Sequence, residues 1–319
     1  MSEAKLTIGF DIGGTNTRAG VVDEDGRILA VESTATPHTS EDLRSAIVGM
    51  VDRLRQRYPS GAIGSVGLAV AGFLDPECEV VRFAPHLPWQ DNAPVRKILQ
   101  DELRLPVRLE HDANSAAWGE YRFGAAQDAK TWVLFAIGTG IGATLMHNGE
   151  IYRGAFGTAP EFGHLTVVPG GRACSCGKQG CLERYASGTA LVDTAVSIAT
   201  NGGFESCGLY RKAVDKRATG NDVVAAARTG DALGLATMDH FAQWLGQGLS
   251  LVCDVLDPEL IVLGGGVSRD ADLFLGTAQK TMARSVVGAG FRPLPALQTA
   301  DLGSQAGMIG VADLARHQM

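Results

Sequence analysis

The sequence lacks what would direct a chain to a membrane or to nucleic acid. No window approaches the roughly 18 apolar residues of a membrane span, and the opening "MSEAKLTIGFDIGG" has no basic stretch followed by an apolar one. A cytoplasmic protein without a membrane partner is expected. Positive charge is in deficit, with 28 Lys and Arg against 35 Asp and Glu and a net charge of -7. No nucleic-acid partner is therefore expected. The G-x-x-x-x-G-K-[ST] loop is missing, and no helix directly follows either of the first two Gly-rich turns, which excludes the Walker and Rossmann phosphate sites. Cysteine is scarce at six residues, yet Cys174, Cys176 and Cys181 fall together. In a reducing compartment that clustering points to metal rather than to disulfides.

What is present describes a globular chain. Hydrophobic residues make up 45% and charged residues 20%, without a long polar tract, so a packed core rather than disorder is expected. At 319 residues the chain exceeds one ordinary core, and two lobes are the expectation.

A repeat supports two lobes. "KLTIGFDIGGTNTRAGVVDEDGRILA" reads as a strand beginning at about Lys5, a Gly-rich turn, a second strand, an Asp-Gly turn and a third strand. "TWVLFAIGTGIGATLMHNGEIYRG" has the same order, setting Phe10 to Gly14 opposite Phe135 to Thr139. Between them a helix started by Ser40 and ended by Pro59, a strand "IGSVGLAVAG", a helix "APVRKILQDEL", a strand "PVRLEHD" and a helix "NSAAWGEYRFG" alternate. This implies mixed sheets covered by helices. The expected lobes are residues 1–125 and 126–303, the second largely helical from about 187 to 255, with a closing helix at 304–319 that packs back on the first.

Three Gly-rich turns follow apolar strands: Asp11 to Thr15, Gly138 to Gly142, and Gly264 to Gly266. Glycine there admits positive φ and lets backbone N–H groups approach an anion. Each alone reads equally as a tight hairpin turn. Thr15 and Thr139 add hydroxyls, and Asp11 suits Mg²⁺ or its waters beside phosphates. Asp112, where a strand meets a helix, reads by itself as a helix N-cap, a role Asn114 could equally fill.

His164, Cys174, Cys176 and Cys181 offer three soft thiolates and one imidazole, a donor set for tetrahedral Zn²⁺. Four protein ligands close the shell, which favours a structural ion. Cys78, Cys207 and Cys253 are isolated and read as packing residues, as do Trp89, Trp118 and Trp244.

Taken together, "FDIGGTNTRAGVVD", "LEHDANSAAWGE", "AIGTGIGATL", "PEFGH" and "CSCGKQGCLE" resemble the ROK family of sugar kinases and repressors, in the family's order and over nearly the whole chain. The pattern is most similar to bacterial ATP-dependent glucokinases of the actinobacterial type. The resemblance implies an α/β, two-lobed actin-like ATPase (ribonuclease H-like) fold with mixed sheets and a zinc-stapled loop, residues 164–181, in the second lobe. It implies transfer of the γ-phosphoryl group of ATP, with Mg²⁺, to the 6-hydroxyl of glucose. Asp11, Gly13, Gly14, Thr15 and Asn16 with Gly138, Thr139, Gly140 and Gly142 would hold the phosphates, and Gly264, Gly265 and Gly266 would lie by the adenosine. Asp112 matches the family's catalytic aspartate; Glu161, His164 and Glu183 match sugar-binding residues, His164 also serving zinc. Gly72 would present backbone to the sugar.

Three positions depart from the family pattern. His111 stands where the family has Asn, Asn16 where Lys is commoner, and Pro160 where a small residue is usual. A neutral histidine still donates once and accepts once, so His111 stays among the substrate-binding residues. The family leaves open another sugar (N-acetylmannosamine, N-acetylglucosamine or fructose), polyphosphate as donor, or a sugar-responsive repressor. Repressors carry an N-terminal helix-turn-helix of roughly 70 residues, for which a first strand at Lys5 leaves no room. A homodimer or homotetramer is what the family suggests.

Overall fold

The computed structural model describes residues 6–317; Lys5 and the last two residues of the expected closing helix lie outside the described residues. Strand β1 (Leu6–Ile12) is buried along most of its length, as a strand covered on both faces is. After the turn at residues 13–15, β2 (Asn16–Val22) returns antiparallel and pairs Thr17 with Ile12. In the next turn Asp23 Oδ1 accepts the N–H groups of Asp25 and Arg27 at 3.0 and 2.8 Å, and β3 (Ile28–Ala35) follows. Its half-buried and exposed residues alternate, as on a sheet edge.

Helix α1 (Ser40–Arg55) buries Leu43, Ile47, Met50, Val51 and Leu54, one face of a 3.6-residue period. Its cap is Thr39 rather than the expected Ser40. Thr39 has extended backbone and its hydroxyl oxygen accepts from Asp42 N–H at 3.1 Å, whereas Ser40 is already helical and donates to Pro88 O at 2.7 Å. Then come β4 (Ile63–Val70), parallel to β1, a small hairpin of β5 (Phe73–Leu74) and β6 (Val81–Phe83), α2 (Val95–Leu103), β7 (Val107–His111), parallel to β4, and α3 (Asp112–Phe123). The sheet order is β3-β2-β1-β4-β7.

The order recurs. Strands β8 (Thr131–Ile137), β9 (Ile141–His147) and β10 (Glu150–Tyr152) form a second meander. A loop with two short 3-10 turns, Phe162–His164 and Leu182–Arg184, leads to α4 (Gly188–Thr200), α5 (Tyr210–Val214), α6 (Gly220–Arg228) and α7 (Ala232–Leu256). Then β11 (Leu260–Gly264), α8 (Leu275–Ser285), β12 (Ala296–Thr299) and α9 (Ala306–His317) complete the chain. The second sheet runs β10-β9-β8-β11-β12, the first sheet's order over again. The central strands β1 and β8 share one seven-residue burial profile, with Phe10 and Phe135 wholly buried.

The residues gather into two compact units. One comprises the chain up to Lys130, Thr144–Pro160 and the residues from Asp301 on; the other comprises Thr131–Ala143 and Glu161–Ala300. Within the first, α9 lies on α3, β1 and β4. Glycine makes the close approach possible: a methyl at Gly9 would fall on Met308 O, one at Gly67 on Val311 O, and one at Gly119 would sit 2.6 Å from Ala306 O. Asp313 of α9, wholly buried, accepts from Trp118 Nε1 at 2.8 Å and Arg122 Nε at 3.0 Å on α3. Among the described residues no helix is long and apolar enough to cross a membrane.

Candidate functional site

In the first unit, chemistry gathers where β1 and β7 end. His111 occupies the N-cap position of α3 in extended conformation and makes no side-chain cap bond. Asp112 is the first helical residue; its Oδ1 accepts from Ala113 N–H at 2.7 Å and lies 3.3 Å from His111 Nδ1. Its side chain is 45% exposed, so it can meet a substrate. Asn114 does not cap the helix. It is buried, donates Nδ2 to Glu110 Oε1 at 3.0 Å and accepts the Thr144 hydroxyl at 3.0 Å. A buried carboxylate one turn earlier takes the amide that the sequence assigned to the helix end.

Asp11 pairs with Arg18 across β1 and β2. Burial, and then the Asp112 charge, push its carboxyl above the ordinary aspartate range. Two carboxylates acting on one another suit a divalent cation, which relieves both the desolvation and the repulsion. The adjoining turn is closed by Gly13 N–H to Asn16 O at 3.0 Å and by the Thr36 hydroxyl to Gly13 O at 2.6 Å, leaving Gly14, Thr15 and Asn16 exposed. Neither Gly13 nor Gly14 has positive φ. Gly14 is needed for space, because a methyl there would lie 2.7 Å from His86 Cβ. Gly72 donates its N–H to Val70 O at 3.1 Å, and a methyl on it would meet Ala84 Cβ at 2.7 Å.

The second unit holds the counterpart turn. Gly138 N–H donates to Gly140 O at 2.9 Å, and Gly188 N–H at the start of α4 donates to Gly138 O at 2.8 Å. Gly138, Thr139 and Gly266 line a cavity of about 660 Å³ together with Thr189, Thr219 and Asn221. The last three stand at the N-terminal ends of α4 and α6, where backbone N–H groups favour anions. Gly264 and Gly265 are not among its lining residues. Gly265 has φ +82°, and a methyl on it would fall on the Ile137 backbone, so it shapes the turn.

The loop from Glu161 to Glu183 brings six expected residues together. The ligand atoms of His164, Cys174, Cys176 and Cys181 all lie within 4.8 Å of one another. His164 Nδ1 is 3.6 Å from Cys174 Sγ, and Cys176 Sγ is 3.7 Å from Cys181 Sγ. A tetrahedron with metal–sulfur bonds of about 2.3 Å has edges of roughly 3.8 Å, so the donors fit a zinc-sized soft cation. Tight turns make this possible. Gly177 and Gly180 have φ +90° and +78°, and a methyl on Gly180 would fall on Val168 O. Glu183 Oε1 lies 3.1 Å from Cys174 Sγ and 3.7 Å from His164 Nδ1, whereas the other edge of the ring, Nε2, lies 3.9 Å from Glu161 Oε2. Gly140 is again a matter of space: a methyl there would sit 2.6 Å from Glu183 Oε2. Gly163 in "PEFGH" lets its turn pack on the Ile141 carbonyl.

Sequence reasoning missed Glu110 and Arg153. Glu110 is 1% exposed and accepts from Arg153, from Arg108 at 3.1 Å, from His111 N–H at 3.1 Å and from Asn114. Burial raises its pKa, but the two guanidinium groups outweigh this and hold it below the ordinary glutamate range. Neither carried a signal: in β7, Val107-Arg108-Leu109-Glu110-His111, Glu110 alternates with apolar residues as a solvent-facing residue would, and nothing near Arg153 marked it. Thr189, Thr219 and Asn221 were missed too, since polar residues at helix starts are ordinary caps.

The sequence pattern of the ROK family matches residues 7–318. A glucokinase of Streptomyces coelicolor is 39% identical over 313 residues, 98% of each chain. A ROK family glucokinase from Streptomyces griseus, solved in complex with glucose and AMPPNP, is 41% identical and superposes with a TM-score of 0.85, covering 98% of this chain and 99% of the other. A ROK hexokinase from Thermus thermophilus is 32% identical with a TM-score of 0.80, covering 97% of each.

Proposed function

The chain belongs to the ROK family, and from that premise we propose that it is a glucokinase, transferring the γ-phosphoryl group of ATP to the 6-hydroxyl of glucose. Its fold is the actin-like ATPase fold of its structural neighbours. The observation that carries the reading is likeness in sequence and fold, over 98% of the chain, to a glucokinase captured with glucose and AMPPNP.

In this reading the sugar O6 attacks the γ-phosphorus while the bond to the bridging oxygen of ADP breaks, and the hydroxyl proton passes to Asp112. The exposed Asp112 carboxylate supports that role. His111, with Nδ1 turned to Asp112, would offer Nε2 to the sugar in place of the family's asparagine amide. The turns at Gly13–Thr15 and Gly138–Gly140 would take the phosphates, with Asp11 toward Mg²⁺. The cavity beside Thr189 and Asn221 suits the nucleoside. Glu161, His164 and Glu183 would hold sugar hydroxyls, with Gly72 offering backbone. Zn²⁺ bound by His164, Cys174, Cys176 and Cys181 would fix the loop and do no chemistry on the substrate. We place the enzyme in the cytoplasm as a homodimer or homotetramer.

Coupled ADP detection with glucose, fructose, N-acetylglucosamine and N-acetylmannosamine, and with ATP or polyphosphate as donor, tests the proposal. Absence of glucose phosphorylation would overturn it.

A further inference from the structure

The buried Glu110 and the partly buried Arg153 form an ion pair that the mechanism above does not use. Glu110 sits two residues before Asp112, at the end of β7, and its carboxylate is wholly enclosed. One oxygen, Oε1, accepts both the backbone N–H of His111 at 3.1 Å and the Nδ2 of Asn114 at 3.0 Å. These two donors bracket Asp112 along the chain. The other oxygen, Oε2, faces Arg153 and, at 3.1 Å, Arg108. The far end of the Asn114 amide is held by the Thr144 hydroxyl, itself wholly buried. Burial pushes the neighbouring Cys78 thiol up to about 11, so it adds no second negative charge.

We propose that the Glu110–Arg153 pair is a positioning device for Asp112: Glu110 clamps the backbone before Asp112 and the side chain after it, and Arg153 fixes the carboxylate that does the clamping. Asp112 has no tertiary side-chain anchor of its own in the hydrogen bonds described, its Oδ1 reaching only Ala113 N–H and, at 3.3 Å, His111 Nδ1. Its aim therefore depends on the strand-to-helix junction it stands on. Stability alone explains the pair poorly, because a buried ion pair exchanged for apolar residues of similar volume is often neutral or better. An apolar pair cannot, however, accept the His111 N–H and the Asn114 amide. The inference rests on the reading of Asp112 as the base.

The test separates stability from aim. The double variant Glu110→Leu/Arg153→Met removes two of the three charges and leaves Arg108, partly exposed, to solvent, and Arg153→Lys keeps the charge but loses the guanidinium fork. Thermal melting and near-UV circular dichroism establish folding, calorimetry gives the glucose Kd, and coupled assay gives kcat. We expect the folded double variant to lose about 10- to 100-fold in kcat, the scale of a misplaced reacting group, with glucose Kd within about threefold of wild type. Arg153→Lys should lose less than the double variant in kcat, again with unchanged Kd. Folded variants with wild-type kcat, or with kcat and glucose affinity lost in proportion, would overturn the assignment; should the double variant not fold, Arg153→Lys decides alone. Asp112→Asn is measured in parallel. Its retaining turnover would sink the reading of the base, whereas an inactive Asp112→Asn beside a fully active pair variant would sink only the positioning role.

Discussion

Glu161 faces one edge of the His164 ring, its Oε2 3.9 Å from Nε2, while the opposite edge of the same ring turns Nδ1 to the cysteine cluster. A histidine that gives one nitrogen to a metal has its other nitrogen fixed in direction. In the proposed reading, metal and sugar contacts would thereby be coupled through a single ring.

Cys176→Ser should lose both functions at once. Cys176 is exposed, so its loss leaves the core intact. We expect bound zinc to fall to near zero by elemental analysis and glucose affinity to fall at least about tenfold, the cost common for ligand-shell changes. Normal glucose binding without zinc would show that loop order does not depend on the metal.

Removing the proposed base should separate binding from turnover. For Asp112→Asn we expect kcat lower by about 10²- to 10⁴-fold, the usual range for a positioned base, with glucose Kd changed little. Single-turnover kinetics alongside calorimetry would check this, and near-normal turnover would reject the assignment.

The two glycines of the Gly138–Gly140 turn should respond differently to alanine. A methyl on Gly138 meets nothing, whereas one on Gly140 would lie 2.6 Å from Glu183 Oε2. Gly140→Ala should therefore raise the glucose KM by displacing Glu183. Gly138→Ala should leave the glucose KM and melting temperature unchanged and raise the KM for ATP. Equal effects of both on glucose would refute the distinction.

Asp11 should oppose stability while serving the nucleotide. Its carboxyl is raised by burial and by Asp112. A raised folded pKa means that its contribution is fully present below the unfolded pKa of about 3.9 and is lost as pH rises through the folded value. Asp11→Asn should thus melt at a higher temperature than wild type at neutral pH. That advantage should vanish in acid, near the ordinary aspartate pKa. Activity with Mg-ATP should fall sharply. A melting series across pH checks the sign, and a lower melting temperature for Asp11→Asn at neutral pH would contradict it.

The seat of α9 should tolerate no extra methyl. Gly67→Ala would drive a Cβ onto the Val311 carbonyl, and overpacking of this kind costs about 1–3 kcal/mol. Urea unfolding would measure it. An unchanged midpoint would mean that α9 shifts freely on β4.

Much of the fold was legible because its signals are local. The paired meanders announce themselves as apolar strand, Gly-rich turn and strand, and the two sheets follow in one order. The cysteine cluster was legible for the same reason, since Cys174, Cys176 and Cys181 are near neighbours whose turns are built from adjacent glycines. The cap assignments were less secure. Thr39 displaced Ser40, and Asn114 was drawn from the helix end, because an N-cap is chosen by backbone angle and by competing partners.

By itself, the sequence determined the alternation of elements, the duplicated turn and the donor set of the loop, all of which depend on residues close along the chain. Only the tertiary structure decided which partners meet a buried charge. Glu110 meets Arg153 from 43 positions away, and Gly9 and Gly67 wait for a helix near the chain's end. Such pairings carry no local pattern: desolvation makes a buried charge intolerable until a partner arrives, and the partner's place is set by packing rather than by spacing.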